Sequence, residues 1–258
     1  MASTNVIKRR LLVLGGSGYV GQAVCRAALQ SSAFDVVRSL SRSGAPTSSS
    51  MGGLSRVEWA KGDVFDTPAL SDVMSNDIDI VISVIGAFGS NEYMQRICGD
   101  ATIDAVRVAR DIGGKGRITA FGFVSSAQVY DGSLALCLPP AAPMYGYFQG
   151  KRRAEEELLK SFPNNHVILR PGFVYGARNV GGRTIPLQYV GGPIDYVGRN
   201  LGPISSLLQM VPFVGKELSS MVPVESVANA MIGSVRKVAD GDNDGKGIIM
   251  DAEMIRSC

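Results

Sequence analysis

A run of branched apolar residues that never alternates and then breaks into spaced glycines leaves few folds open to a chain. Here Leu11-Leu12-Val13-Leu14 runs straight into Gly15-Gly16-Ser17-Gly18-Tyr19-Val20-Gly21. Apolar residues without polar relief read as a strand buried on both faces, the usual state of the first strand of a parallel sheet. Val20, Ala23, Val24, Ala27 and Ala28 then keep an apolar stripe at helical period, so the unit is strand, tight turn, helix. Missing side chains at Gly15, Gly18 and Gly21 let a pyrophosphate approach the backbone. The helix start adds unpaired N–H groups and the positive end of its dipole. The competing explanation is a glycine-rich turn that only packs helix on strand; a place between a buried strand and an amphipathic helix favours nucleotide binding.

The remaining pattern says how that unit is extended. Asp35 to Ser41, Arg56 to Gly62, Ile78 to Ile85, Arg117 to Ser126 and Val167 to Tyr175 read as further strands, the last cut by Pro171 and Gly172. Between them, Thr67-Pro68 opens one helix, Glu92 to Ile112 forms a long one and Lys151 to Leu159 lies inside another. Strands alternating with helices at this spacing imply right-handed βαβ units and one doubly wound parallel sheet, an α/β fold. Ala45 to Gly53, rich in Ser, Gly and Pro, is expected to be a surface loop. From Ala177 to Met221 the pattern turns to paired glycines, prolines and isolated apolar clusters. This stretch is expected to be a small C-terminal cap over the carboxyl ends of the strands, within a single domain spanning 1–258. A last helix is expected from Val222.

Composition removes several function classes. Lysines and arginines number 26 against 23 acids, a net charge of +3 with both signs interleaved, so no general nucleic-acid surface is expected. The four cysteines, Cys25, Cys98, Cys137 and Cys258, lack metal or CxxC spacing, which argues for a reducing interior without a zinc site or disulfide framework. The one histidine, His166, is expected in a loop before a strand. No apolar run approaches the ~18 residues of a membrane span. Met1 to Asn5 with Lys8-Arg9-Arg10 is basic but has no apolar signal core, and it is too short for a full transit peptide.

The end of the second strand bears on the nucleotide. An acidic residue there would hold the ribose hydroxyl of NAD and repel a 2'-phosphate. The chain has Ser41 and then Arg42, a planar cation suited to phosphate oxygens, so NADP(H) is expected over NAD(H). Asp63, after the third strand, either meets the adenine edge or caps the next helix. Tyr147 and Lys151, four apart, share one helix face. The ammonium and an oxidised nicotinamide would draw the phenol's pKa down toward neutrality. Ser125 and Ser126 close the fifth strand, where they could hydrogen-bond a substrate carbonyl. An ordinary amphipathic helix would also account for the charges, with Lys151, Arg152 and Arg153 each four before Glu155, Glu156 and Glu157. It leaves the tyrosine one turn earlier unexplained.

Gly15 to Gly21, Val124-Ser125-Ser126, Tyr147 with Lys151, and Leu169-Arg170-Pro171-Gly172-Phe173-Val174-Tyr175-Gly176 together resemble the extended and atypical short-chain dehydrogenase/reductases, a Rossmann-fold superfamily, over almost the whole chain. Gly86 to Met94 is similar to an atypical branch of mitochondrial NAD(P)H-binding proteins. That branch holds the Rossmann-type accessory subunit of respiratory complex I and the reductase-like protein of coenzyme Q (ubiquinone) biosynthesis. The resemblance places the cofactor turn on Gly15, Gly16, Ser17, Gly18, Tyr19, Val20 and Gly21. Further cofactor contacts fall on Ser41, Arg42, Asp63, Val64, Val84, Gly86, Lys151, Pro171, Gly172 and Val174. It implies Ser126 as the orienting serine, Tyr147 as acid/base and Lys151 as the ribose-holding lysine. Two positions depart from the pattern: Cys98 stands where extended members often carry an asparagine, and Gly150 where a small hydroxyl residue is common.

The expectation is an NADP(H)-dependent oxidoreductase acting on a hydrophobic carbonyl or quinone-like compound. The apolar cluster Ile204, Leu207, Leu208, Met210, Val211, Phe213 and Val214 in the cap suits such a substrate, peripheral membrane contact or a partner subunit. The alternative is a non-catalytic NADPH-binding accessory subunit of a protein assembly. The resemblance implies a mitochondrial location, with cytosol or plastid as the other compartments.

Overall fold

The glycine-terminated run becomes β1 (Arg9–Leu14), with Leu11, Leu12 and Val13 fully buried. The structure, a computed structural model, describes residues 9–46, 52–75, 77–113, 118–129, 138–180, 183–186 and 222–258. After β1 come β2 (Phe34–Ser41), β3 (Glu58–Lys61), β4 (Ile80–Ser83), β5 (Ala120–Val124) and β6 (His166–Arg170). The short strands β7 (Val174–Tyr175), β8 (Ala177–Val180), β9 (Arg183–Pro186) and β10 (Val222–Pro223) follow, then β11 (Ile248–Asp251). Seven of these form one sheet in the order β11-β6-β5-β4-β1-β2-β3, every neighbouring pair parallel. Strand order reverses at β1, so the carboxyl ends of β1 and β4 flank the crevice where such sheets bind ligands.

Strand alternation divides the core into two layers. Leu11 and Val13 pack with Ile80 and Ile82 under α1 (Tyr19–Gln30) and α6 (Val224–Asp240). Leu12 and Leu14 face the other way with Val81, Phe121 and Phe123, under α2 (Thr67–Ser75), α4 (Ala101–Gly113) and α5 (Tyr145–Ser161). A parallel sheet covered on both faces needs strands apolar on both faces, which is why its central strands read as unbroken apolar runs. No helix among the described residues is long and apolar enough to cross a membrane.

Several elements differ from the sequence expectation. The long helix of residues 92–112 is three pieces: α3 (Asn91–Gln95), a π-helical turn (Arg96–Asp100) and α4. The sixth strand ends at Arg170; Val174–Tyr175 instead pairs with Val222–Pro223, so the helix expected from Val222 begins at Val224. That helix is not the last element, because β11 and α7 (Ala252–Arg256) follow. Ile248-Ile249-Met250-Asp251 is only four residues long and lies on the sheet edge, too short for periodicity to declare it. Of the stretch 177–221 expected to form a cap, the structure describes residues 177–180 and 183–186, where β8 and β9 form an antiparallel pair; the apolar cluster from Ile204 to Val214 lies outside the described residues.

His166 is not a loop residue: it opens β6, is buried, and its Nδ1 lies 2.7 Å from the Phe162 carbonyl oxygen. A Cβ on Gly247 would stand 2.0 Å from the ring's Cε1, so the glycine makes room for the imidazole. Gly247→Ala is expected to cost about 1–3 kcal/mol through overpacking. Urea denaturation should show that loss, and much less of it in a His166→Ala background, where the ring is gone.

Candidate functional site

Four glycines shape the turn after β1, and they do so for different reasons. Gly15 has φ +87, a conformation that L side chains rarely adopt. A Cβ on Gly16 would meet Ser39 Oγ at 2.3 Å, and one on Gly21 would meet the Gly15 carbonyl oxygen at 2.3 Å. Those three are demanded by packing and backbone. Gly18 is not: it is exposed, extended, and a Cβ there would meet only the Gly15 oxygen, at 3.2 Å. Gly18 is also the N-cap of α1, gives that helix no side-chain cap, and is followed by a first turn without an acid. Uncapped N–H groups behind an open glycine fit a phosphate group, which needs both donors and room.

At the end of β2, Ser17 Oγ donates to Ser41 Oγ at 2.9 Å and lies 2.9 Å from Ser43 Oγ, joining the glycine turn to the neighbouring strand end. Arg42 is exposed between these serines. Asp63 accepts from Phe65 N at 3.1 Å and closes a local turn; the residue that caps α2 is Asp66, accepting from Ala69 N. The capping role weighed for Asp63 therefore falls to Asp66. Val64 is buried in the core, whereas Gly86 is exposed with open space where a side chain would be. Tyr19 and Val20 open α1, Val84 N bonds the Leu14 oxygen at 3.0 Å, and Pro171 accepts from Ala127 N at 2.9 Å. Gly172 and Val174 follow β6, half-buried. All of these follow carboxyl ends of parallel strands, hence one edge of the sheet.

Lys151 is buried in the second half of that edge. Its Nζ donates to the Val124 oxygen at 2.7 Å and the Ile85 oxygen at 3.1 Å, bridging the chain leaving β4 and the end of β5. The ammonium also lies 4.5 Å from the Phe123 ring centroid and 5.9 Å from that of Tyr147. Burial lowers the lysine's pKa to about 8, against the Cys98 and Glu155 charges, which favour the ammonium. Tyr147 stacks on Phe88 at 5.6 Å and 14°. Its phenol is shifted upward by burial first and the Cys98 thiol second, so the fall in pKa expected from Lys151 is not present in the protein's own field. Desolvation sets the direction.

The helix carrying this pair is held from several sides. Of the three i,i+4 pairs expected on α5, only Arg152–Glu156 forms, at 3.1 Å. Glu157 pairs with Arg107, Arg153 with Asp100, and fully buried Glu155 takes Arg170 of β6 at 2.7 Å. Gly150 is where α5 meets the π-helical turn: a Cβ on Gly99 would lie 2.8 Å from its Cα. That contact explains why no hydroxyl residue precedes the lysine. Cys98 Sγ accepts from Ala87 N and donates to Ala87 O, pinning the loop that carries Phe88. Sequence reasoning missed Asn91, whose Oδ1 accepts from Gly146 N while its Nδ2 donates to Pro140 O and Ala142 O, setting the start of α5. It also missed Gln128, which accepts from Ser126 Oγ. An asparagine at the first position of a five-residue helix and a glutamine after a strand carry no spacing signal that would have found them.

Comparison with known proteins agrees with this geometry. The NAD(P)H-binding family matches residues 15–192. An uncharacterized chloroplastic protein of Arabidopsis thaliana is 39% identical over 244 residues, 95% of this chain and 75% of that protein. A short-chain dehydrogenase/reductase family oxidoreductase from Burkholderia thailandensis has a similar fold, with TM-score 0.63 at 19% identity over 96% of this chain and 92% of that one. UDP-glucuronic acid 4-epimerase from Bacillus cereus, solved with NAD, gives 0.52 at 23% identity over 67% of this chain. This chain spans 59% of the epimerase's length.

Gly21→Ala should cost more than about 2 kcal/mol of stability, because its Cβ would press on fixed backbone, whereas Gly18→Ala should stay within about 1 kcal/mol. Equal losses on denaturation would erase the distinction drawn between the two. The lowered Lys151 pKa carries a second expectation. Between about pH 8 and 10.5 the unfolded lysine holds a proton that the native one has released, so the lysine's contribution to stability rises with pH across that window. Relative to Lys151→Met, the wild-type chain should gain at most ~3 kcal/mol from pH 8 to 10.5. A difference that is flat or falling would contradict the assignment.

Proposed function

The chain belongs to the NAD(P)H-binding family, and from that premise we propose that it is an NADP(H)-dependent oxidoreductase of the short-chain type, acting on a hydrophobic carbonyl or quinone-like compound. The observation that carries this reading is the pairing of Tyr147 with Lys151 at the ends of β4 and β5, on the same sheet edge as the uncapped glycine turn. NADP(H), when bound, supplies or accepts the hydride. Tyr147 holds the proton: its raised pKa keeps the phenol protonated at neutral pH, the form that can donate to a substrate oxygen. Lys151 spends two of its three N–H groups on backbone carbonyls and keeps one for a ligand hydroxyl. Ser126, tied to Gln128, orients the substrate oxygen.

Three features support the finer parts. Ser17, Ser41 and Ser43 gather hydroxyls beside the exposed Arg42, a set of groups that suits a 2'-phosphate. Phe88, exposed and stacked on Tyr147, sets apolar surface beside the phenol, in keeping with a hydrophobic substrate. The antiparallel pair β8–β9 follows directly on the sheet's carboxyl edge, in keeping with a cap over residues 177–221 of one domain. For the compartment, the chloroplastic relative favours a plastid over the mitochondrion that family resemblance implies, and a link to ubiquinone biosynthesis rests on that resemblance alone.

A second reading follows from Lys151 itself. An ammonium bonded to two backbone carbonyls is already a structural pin, and a chain that binds dinucleotide for stability, as an accessory subunit, would need nothing more from it. Tyr147→Phe separates the two. Under the oxidoreductase reading, NADPH-dependent reduction of short-chain quinones falls at least about a hundredfold while NADPH affinity holds; unchanged reduction, or none in the wild-type chain, favours the accessory role. Arg42→Ala should weaken NADPH about tenfold or more and leave NADH alone. Equal effects on both nucleotides by calorimetry would remove Arg42 from phosphate recognition.

A further inference from the structure

The two serines that close β5 are not equivalent. Ser126 Oγ is already engaged, donating to Gln128 Oε1. Ser125 is 3% exposed, and its Oγ has no hydrogen-bond partner among the described residues. A buried hydroxyl without a partner is costly, and such groups in a native fold mark a place that something else completes.

The pleat says which way Ser125 faces. Phe121 and Phe123 pack into the layer under α4 and α5, while Val124 packs into the opposite layer. Ser125 N continues the ladder by bonding the Leu169 oxygen at 2.7 Å, so its side chain falls on the Phe123 side. That is the side of Lys151, whose Nζ is 4.5 Å from the Phe123 ring centroid and bonded to the carbonyl of the residue just before Ser125. A free hydroxyl and the remaining ammonium N–H thus stand together at the end of β5. The 2'-phosphate groups proposed above lie at the end of β2, on the far side of β1 and β4 in the sheet.

We propose that Ser125, rather than Ser126, is the β5 serine that binds the nucleotide: its hydroxyl takes an oxygen of the nicotinamide–ribose half of the dinucleotide, beside Lys151. This rests on the NADP(H) reading, because a dinucleotide anchored at β2 and crossing the strand-order reversal brings its second half to β4 and β5. Ser126, whose hydroxyl is tied to Gln128, keeps the role proposed above at the substrate oxygen.

The test uses the intact chain with Ser125→Ala and Ser126→Ala, and three probes: NADPH, adenosine 2',5'-bisphosphate and reduced nicotinamide mononucleotide. Without ligand, Ser125→Ala should melt at or above the wild-type temperature, since it removes an unpaired polar group, whereas Ser126→Ala should melt lower. With ligand, Ser125→Ala should bind NADPH and the mononucleotide about five- to tenfold more weakly and the bisphosphate unchanged, the loss of one hydrogen bond. Ser125→Ala that binds NADPH like wild type, or that loses all three probes equally, overturns the assignment while leaving the functional reading in place. A wild-type chain that binds none of the three overturns both.

Discussion

Burying an ammonium at the carboxyl edge of a parallel sheet constrains everything near it. Lys151 meets the requirement with two backbone carbonyls, that of Val124 at the end of β5 and that of Ile85 just past β4. A buried charge is tolerated only when hydrogen-bonded, and even then burial pulls the lysine's pKa to about 8. The Phe123 ring beneath it contributes its π face. One turn on, Glu155 adds a carboxylate that is itself held by Arg170, so a positive, a negative and a positive group tie β5, α5 and β6 together. Removing one member of such a set strands another buried charge, which is why the set specifies one position for α5.

That position in turn requires close approach elsewhere. α5 can reach the strand ends only if its neighbour yields space, and Gly99 against Gly150 is a backbone-to-backbone contact that no side chain would allow. The π-helical turn of Arg96–Asp100 brings Gly99 to that contact and Cys98 to Ala87. A thiol can donate and accept at once, so Cys98 satisfies both the N–H and the C=O of one loop residue. The loop it pins carries Phe88, and Phe88 lies on Tyr147. Cys98 therefore bears on the phenol through the stacked ring, and its nearness adds to the upward shift that burial imposes first.

How far the chain could be read without coordinates follows from which interactions are local. The strand–turn–helix at Leu11 to Gly21 and the apolar strands β4 and β5 announce themselves because a doubly covered parallel sheet leaves an unbroken apolar run in sequence. Tyr147 and Lys151 were legible because a spacing of four is a helix face. What escaped depends on distant residues. His166 looked like a loop residue until Gly247, far along the chain, was seen to vacate the space for its ring. The charges of α5 suggested a self-contained ladder, yet two of the three acids found partners on other elements. In the protein's own field burial raises the phenol's pKa, because a neighbouring cation shows in sequence whereas desolvation shows only in the fold.

The crevice thus has two halves built on different physics. Around β1 and β2 it consists of glycine backbone, uncapped helix N–H groups, serine hydroxyls and one exposed guanidinium, none of which is a buried charge. Such a surface costs the apo fold little and can hold phosphates through donors that water would otherwise satisfy. Around β4 to β6 the polar groups are buried and tied into the core, so their geometry is fixed before any ligand arrives. Preorganised groups favour chemistry over mere adhesion, because no reorganisation is left to be done when charge moves. The first half accounts for holding a nucleotide; the second fixes Lys151, and with it the helix that carries Tyr147, before anything binds.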